Sequence, residues 1–351
     1  MDDPLVSVIM TTYNGEKFVA GAVRSVLNQE FSDFELIIID DASMDRTVEI
    51  IRQFDDPRIR LVRNEKKLGI SGSRNRGLAL ARGKFIAPHD HDDISYPDRL
   101  AKEVKAMNAD SSLVLVSGRI DILPKGGPAV PPLPVPTPIE LAWSLFVGSI
   151  IQHSFIMIRR SVIIDNELDY RAKYHCAEDF DLYHRLSEIG SMRLLPDVLG
   201  AINEHGLNAS IVRKQEMAEN GRAFLRDRYN EYMGEDSVSD KDMEIIWCLM
   251  VEKSFCRHRG DLLRGGDIFR QMVDSFVERR ELSPGDKSQI FAKASEVWWL
   301  AVATSSIVLG PAVIRYRNRY DNLSKYSVPA VSFAKAFIKS LVLPIFKRDI
   351  R

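Results

Sequence analysis

Cysteine is scarce in this sequence, with 3 residues among 351. Cys176, Cys248 and Cys256 are odd in number and irregularly spaced, which argues against both a disulfide framework and a zinc site. Because proteins without disulfides are typical of reducing compartments, we expect a cytoplasmic protein. The chain opens with Met1-Asp2-Asp3-Pro4 and a strand-like run, without the basic and apolar regions of a secretory signal, so we expect no such signal.

An excess of charge of one sign is lacking as well. Lys and Arg number 48 and Asp and Glu number 49, which gives a formal net charge of -1. Proteins that bind nucleic acid depend on a basic surface to attract phosphate groups. The composition therefore gives no reason to expect a nucleic acid partner, and its hydrophobic content of 45% is ordinary for a globular protein.

A convincing membrane-spanning run is also absent. Residues 297–314 carry no charge over 18 positions, which just reaches the necessary length. Their serines, threonine and internal Gly310-Pro311 favour a buried helix that ends near Gly310, with a membrane-inserted segment as the alternative. Residues 315–351 contain nine basic and two acidic residues. This basic C-terminal region is a candidate for peripheral contact with an anionic surface, the inner face of the cell membrane.

Strand-like and helical patterns alternate along the first part of the chain. Runs rich in β-formers occupy residues 5–12, 34–39, 59–62 and 84–87, and apolar residues at helical spacing lie between them. Further strand-like runs follow at 113–117, 154–158, 192–195 and 198–202. This alternation predicts an α/β fold with a mostly parallel, Rossmann-like sheet flanked by helices.

The composition changes near residue 213. From there the patterns indicate helices without intervening strands, so we predict a domain over 1–212 and a helical C-terminal region over 213–351. Seven prolines lie between 124 and 138, which excludes a helix or sheet interior there. The segment is interpreted as a surface linker, with a mobile loop over the site as the alternative.

Three polar clusters each follow a predicted strand directly: Thr11-Thr12-Tyr13, Asp40-Asp41 and Asp90-His91-Asp92-Asp93. In a parallel sheet ligands bind at the carboxyl ends of the strands, so these clusters should meet at one edge. Asp90 and Asp92 share a face of an extended backbone and repel each other unless a cation lies between them. Carboxylate oxygens suit Mg²⁺ or Mn²⁺. The alternative is an acidic turn before a helix that begins near Pro97.

Five motifs in order resemble the family 2 inverting glycosyltransferases of the GT-A fold. They are Val8–Asn14, Ile38–Asp45, Gly72–Gly77, Asp90–Asp93 with Pro97, and Glu178-Asp179. The resemblance covers roughly residues 5 to 210 and implies a GT-A fold there. It also implies contacts with a sugar nucleotide. The base would contact Thr11, Tyr13 and Asp41, and the ribose would contact Asp90. Two further residues would lie near the nucleotide, Arg74 and Asn75.

The resemblance further implies a metal site and a general base. Asp92 would be the direct ligand of Mn²⁺ or Mg²⁺, and Asp179 the base. His205 occupies the position of a histidine close to the metal, although Asn203-Glu204 replace the aromatic-Arg pair that usually precedes it. For Asp41 the alternative is helix capping, and for His205 it is a loop histidine.

The implied activity is metal-dependent, inverting transfer of a sugar from a nucleoside-diphosphate sugar, most often a UDP-sugar. The acceptor would be a hydroxyl of a glycan or lipid-linked acceptor in surface polysaccharide biosynthesis. The Gln-x-x-Arg-Trp motif of processive members is absent from the sequence after Asp179. One alternative is a sugar nucleotidyltransferase, which Thr12-Tyr13-Asn14-Gly15-Glu16 disfavours because it is not a Gly-rich basic loop. The other is a catalytically silent sugar-nucleotide-binding or scaffold protein of a polysaccharide assembly complex.

Overall fold

The structure is a computed structural model that describes residues 3–123, 135–148, 151–252 and 256–309. The contacts divide the chain into two units, Met1–Leu145 with Ser149–Ala218, and Phe146–Gly148 with Glu219–Arg351. The division after Ala218 falls six residues beyond the boundary predicted at 212. The proline-rich segment over 124–134 and the basic region over 315–351 lie outside the described residues.

The first unit contains a sheet with eight strands among its described residues. The strands are β1 (Val6–Thr12), β2 (Phe34–Asp40), β3 (Ile59–Arg63), β4 (Phe85–Asp90), β5 (Ile94–Ser95), β6 (Leu113–Leu123), β7 (Ile156–Arg159) and β8 (Ser191–Asn203). The helices that begin in this unit are α1 (Val19–Leu27), α2 (Thr47–Ile51), α3 (Gly69–Leu80), α4 (Arg99–Ala109), α5 (Pro138–Val147), α6 (Arg160–Asp165), α7 (Glu178–Ile189), α8 (Ala209–Val212) and α9 (Lys214–Met233).

The strand order is β3-β2-β1-β4-β7-β6-β8-β5. Strands β3, β2, β1 and β4 are parallel to one another, and β6 is parallel to β8. Strand β7 is antiparallel to both of its neighbours, and the short β5 is antiparallel to β8. The predicted mostly parallel α/β sheet is therefore confirmed, with two antiparallel insertions.

Alternate residues of the central strands feed two cores, one on each face of the sheet. On one face Val8 and Met10 of β1 pack with Val23 of α1. On the other face Ile9 of β1 belongs to a core that includes Leu182 of α7. Because both faces are covered, every residue of β2 is buried, as a parallel central strand requires.

The two closing strands predicted at 192–195 and 198–202 form one strand, β8. Pro196 interrupts the pattern because it cannot donate a ladder hydrogen bond. The pairing with β6 shifts register between Ser117 and Arg119, where the partners pass from Leu194 to Val198. This irregularity accommodates the proline and lets β8 continue to Asn203.

The second unit is helical in its described part, as the sequence predicted. Its further helices are α10 (Asp240–Ile246), α11 (Arg259–Arg279) and α12 (Pro284–Leu309), and a π-helical turn spans Trp247–Val251. Trp298 of α12 is buried, which agrees with a buried helix in the first part of 297–314. Among the described helices none is both long and apolar enough to cross a membrane.

The sheet order places the three polar clusters side by side. Strand β1 lies between β2 and β4, with Thr12 paired with Asp40 and Thr11 paired with Asp90. Helix α3 packs closely on this region, since a Cβ atom on Gly77 would overlap the side chain of Ile9. The carboxyl ends of β1, β2 and β4 therefore form one edge, as predicted from the sequence.

Candidate active site

The acidic turn after β4 is held by hydrogen bonds from two other segments. The Asp90 N–H donates to Ser154 Oγ at 3.1 Å, and the Ser154 hydroxyl donates to Asp93 Oδ2 at 2.5 Å. The Asn203 N–H at the end of β8 donates to Asp93 Oδ1 at 3.2 Å. Burial and the nearby Asp90 carboxylate raise the pKa of Asp93 to about 7. Asp93 thus anchors the turn and leaves Asp90 and Asp92 to face the site.

Asp92 lies against His205, and their role in holding a metal stays a prediction. His205 Nε2 is 3.2 Å from Asp92 Oδ2, and the Asn208 amide is 3.4 Å from the same oxygen. The imidazole stacks on Phe18, with ring centroids 3.9 Å apart and an interplanar angle of 8°. Burial, and then Asp90, raise the pKa of Asp92, so its charged form gains from a nearby cation.

The Asp92 and His205 pair fits a divalent cation. Two ligand atoms that each lie about 2.1 Å from one octahedral ion are about 3 Å apart, close to the observed spacing. The Leu207 N–H donates to His205 Nδ1 at 3.2 Å, so Nε2 carries the proton of the neutral ring and donates to Asp92. Ligation through Nε2 would move that proton to Nδ1 and release the Leu207 N–H.

Arg74 joins the acidic turn to the start of α7. Its guanidinium contacts Glu178 Oε1 at 2.7 Å and Asp90 Oδ1 at 3.2 Å. Burial alone would raise the pKa of Asp90, but the Arg74 charge holds it at about 2. Arg74 was predicted to lie near the nucleotide, and the structure places it between these two carboxylates, where it fixes their positions. Its contact with a nucleotide stays a prediction.

Asn75 is engaged with the backbone of Tyr170. Its amide donates to the Tyr170 carbonyl at 2.9 Å, and its Oδ1 accepts the Tyr170 N–H at 2.8 Å. The Tyr170 ring lies 5.5 Å from the Arg74 guanidinium. Asn75 therefore holds the segment before α7 against α3, and the predicted proximity to a nucleotide stays a prediction.

Asp179 is the second residue of α7 and lies beside the Arg74 ion pairs. Burial, and then the neighbouring Glu178 carboxylate, raise the pKa of Asp179 to about 7. Its Oδ1 accepts the Phe180 N–H at 2.9 Å. A carboxylate with a pKa near neutrality can accept a proton from a reacting hydroxyl and release it again.

The predicted base-binding residues lie at the ends of β1 and β2. Asp41 accepts the Leu68 and Gly69 N–H groups at 2.7 and 2.9 Å, so it caps the start of α3. This capping was the alternative reading of Asp41, and a contact with the base stays a prediction. The Tyr13 ring lies 3.5 Å from Lys67 Nζ. Thr11 lines a cavity of about 10 Å³ beneath Arg74, room for no more than one water molecule.

Several residues of this edge were missed from the sequence. Ser154 and Asn208 hold the acidic turn and Asp92, and Phe18 holds His205. Glu178 was part of the predicted Glu178-Asp179 motif, but its ion pair with Arg74 was not predicted. Phe18 has the helical spacing of a core residue, and Ser154 is one small polar residue at the edge of an apolar run. Neither pattern distinguishes a supporting residue from an ordinary structural one, so only the tertiary contacts identify them.

Comparison with known proteins gives one family. The family model described as Glycosyl transferase family 2 matches residues 7–166. EpsE of Bacillus subtilis, whose assigned name is that of a glycosyltransferase, is 33% identical over 196 residues, which cover 53% of this chain and 68% of EpsE. An uncharacterized glycosyltransferase of Haemophilus influenzae is 25% identical over 259 residues, 71% of this chain and 80% of that protein.

A third relative has a more specific name. It is the UDP-Glc:alpha-D-GlcNAc-diphosphoundecaprenol beta-1,3-glucosyltransferase WfgD of Escherichia coli, 42% identical over 107 residues, which cover 30% of this chain and 42% of WfgD. Among solved structures, Staphylococcus aureus TarS 1-349 matches with a TM-score of 0.56 at 16% identity, and 92% of each chain is covered.

A mannosyltransferase, PcManGT from Pyrobaculum calidifontis in complex with GDP-Man and Mn²⁺, matches with a TM-score of 0.51 at 15% identity. That match covers 97% of this chain and 88% of PcManGT. At these identities both structural matches concern the fold, and the GT-A fold expected from the sequence is confirmed.

Proposed function

The chain belongs to glycosyltransferase family 2, and on this basis we propose a metal-dependent, inverting and non-processive sugar transfer from a UDP-sugar to an acceptor hydroxyl. The observation that carries the proposal is the grouping around Arg74. One guanidinium links Asp90 of the acidic turn to Glu178, which directly precedes Asp179. This arrangement supports a donor site and a carboxylate base held at one edge of the sheet.

Each proposed donor contact is supported by its position at the strand ends. Asp92 and His205 would hold Mn²⁺ or Mg²⁺, which supplies Lewis-acid stabilisation of the leaving diphosphate when bound. Asp90 would contact the ribose, and Thr11 and Tyr13 with Asp41 the base. WfgD is named for UDP-Glc, which supports UDP as the nucleotide here.

The transfer itself needs one proton acceptor. Asp179 takes the proton of the acceptor hydroxyl as the hydroxyl oxygen bonds to the anomeric carbon. The bond from that carbon to the phosphate oxygen breaks, and UDP leaves with the electron pair. Attack and departure occur on opposite faces of the sugar, so the configuration inverts. General-base help of this kind contributes about 10²- to 10⁴-fold to the rate.

The acceptor is proposed to be a glycan or a lipid-linked acceptor in surface polysaccharide biosynthesis. WfgD is named for a diphosphoundecaprenol-linked acceptor, which supports this class. The basic region over 315–351 would bring the protein to the cytoplasmic, anionic face of the membrane, and the helical region from 213 onward would bind the acceptor or the membrane.

The donor site is tested by calorimetric titration of UDP into the purified chain. We expect binding with Mn²⁺ present, and binding weaker by about tenfold or more when Mn²⁺ is omitted or Asp92 is replaced in Asp92→Ala. Asp98→Ala removes a carboxylate at the protein surface, where Asp98 pairs with Lys102, and should bind UDP as the wild type does. Equal UDP binding in all of these conditions would contradict the metal-dependent site. If UDP does not bind in any of them, GDP and other nucleotides are titrated next, and a lack of binding by all of them would favour the silent scaffold.

A further inference from the structure

A second group of metal-ligating side chains lies at the turn before α7. His175 and Cys176 follow a 3-10 turn at Ala172–Tyr174, and Glu216 lies in the first turn of α9. His175 Nδ1 is 2.9 Å from Glu216 Oε1 and 3.1 Å from Cys176 Sγ. One ligand atom from each residue lies within 4.8 Å of the other two. The fold thus assembles a set that cysteine spacing alone did not indicate.

We propose that Zn²⁺, or a divalent transition-metal ion with similar ligand preferences, binds His175, Cys176 and Glu216. This site is separate from the one at Asp92 and His205. Thiolate, imidazole and carboxylate together are ligands that Zn²⁺ accepts, whereas Mg²⁺ and Mn²⁺ prefer oxygen. Tetrahedral ligands at about 2.0 to 2.3 Å from the ion lie roughly 3.3 to 3.7 Å apart. The two observed distances from His175 Nδ1, 2.9 Å to Glu216 and 3.1 Å to Cys176, would need to lengthen by only a few tenths of an ångström to reach this range. The two anionic ligands neutralise the charge of the ion.

The site is reachable and partly preformed. The side chains of His175 and Glu216 are 39% and 47% exposed, so an ion can enter from solvent without unfolding the segment. Cys176 has a φ of 64°, in the left-handed region that few side chains adopt. A strained backbone conformation persists only where surrounding contacts fix it. Here the strained residue is Cys176, whose Sγ lies beside His175 Nδ1.

Arg213 competes with a cation for this site. Its Nη1 lies 3.2 Å from His175 Nε2 and donates to it, which leaves the ring proton on Nδ1 facing Glu216. A cation on Nδ1 requires the proton on Nε2, so the Arg213 hydrogen bond must break. The hydrogen bond from Arg213 to His175 can therefore form only when no cation is bound to Nδ1, and Arg213 should weaken metal binding.

An occupied site would constrain the turn that leads to α7. Only Ala177 separates Cys176 from Glu178, and the Ala177 N–H donates to the Tyr174 carbonyl at 2.8 Å. A cation bound to Cys176 and Glu216 would tie this turn to α9 within the first unit.

The test is titration of the full chain with Co²⁺ as a spectroscopic substitute for Zn²⁺, in a buffer with a non-thiol reductant. We expect a near-ultraviolet charge-transfer band from thiolate to Co²⁺, which displacement by Zn²⁺ removes. The Asp92 and His205 site contains no sulfur and cannot give this band. Cys176→Ser should abolish it, and Cys248→Ser, the matched control at another partly buried cysteine, should retain it.

Two further variants test the site independently of Cys176. Glu216→Gln changes a different segment and should weaken Co²⁺ binding, whereas Arg213→Gln removes the competing charge and should tighten it about tenfold. Circular dichroism confirms that each variant is folded. A band that survives in Cys176→Ser, weaker binding in Arg213→Gln, or no band in the folded wild type at saturating Co²⁺ would overturn the site.

Discussion

Replacing Arg74 with alanine should destabilise the first unit strongly. The side chains of Arg74 and Glu178 are only 7% and 3% exposed, so Arg74→Ala leaves a buried carboxylate without its partner. Breaking a buried ion pair in this way costs about 3–5 kcal/mol. Asp90 is 31% exposed, and water can replace part of its lost contact. We therefore expect a loss near the lower end, about 3 kcal/mol in the free energy of unfolding.

The loss should depend on pH in a defined direction. The pKa of Asp90 is about 2 in the folded protein, against an ordinary value of 3.8. Its pairing stabilises the folded state above the ordinary value, and that stabilisation is lost as the pH falls through about 2. Arg74→Ala lacks it at every pH. The difference in unfolding free energy between wild type and variant should therefore be largest near neutrality and smaller at about pH 3, which lies between the two pKa values.

The assay is urea unfolding followed by circular dichroism at both pH values. Arg76→Ala is the matched control on the same helix, because Arg76 is less buried and hydrogen bonds to Asn64 and to the Arg63 carbonyl. It should cost about 1 kcal/mol. An Arg74→Ala loss no larger than that of Arg76→Ala, or a loss that grows as the pH falls, would refute the buried ion pair as the link between the two acids.

Two further predictions concern the chemistry. Because burial raises the pKa of Asp179 to about 7 and the base must be ionised, kcat/KM should fall about tenfold per pH unit below about 6. A pH profile that is flat between about 5 and 8 would contradict this. Phe18→Ala removes the stacking partner of His205 and should weaken Mn²⁺ binding about tenfold, as measured by electron paramagnetic resonance. Unchanged Mn²⁺ affinity would mean that Phe18 does not hold the ligand.

Local sequence patterns were sufficient to predict the central parallel strands of the sheet but not the direction of the strands added to it. β1 and β2 are continuous apolar runs separated by a helical pattern, and they form the parallel centre as predicted. Strands β7 and β5 contain four and two residues, and no local feature of such short runs states their direction. The sequence predicted two strands at 192–195 and 198–202. The register shift that joins them into β8 depends on pairing with β6, which no local pattern shows.

In the candidate site, too, the sequence predicted some features and the tertiary contacts supplied the others. Asp92 and His205 are 113 residues apart in the sequence, and the structure brings them together. The resemblance placed Arg74 near the nucleotide, and no local pattern shows its ion pair with Glu178, which lies 104 residues away. In the same way, the scattered cysteines argued against a zinc site, and the group proposed here depends on the fold placing Glu216 beside His175 and Cys176. Sequence identified the groups with chemistry, and tertiary contacts decided which of them are already engaged.

The most direct test of the proposed chemistry is UDP release from a panel of UDP-sugars, beginning with UDP-glucose, by wild type and Asp179→Asn in the presence of Mn²⁺. In this assay water takes the place of the acceptor hydroxyl and gives its proton to the base as it attacks the anomeric carbon. We predict that Asp179→Asn binds UDP as the wild type does but forms UDP from the UDP-sugar at least about 10²-fold more slowly. Glu188→Gln, on the same helix, should turn over like the wild type. Full turnover by Asp179→Asn would contradict the assignment of Asp179 as the base.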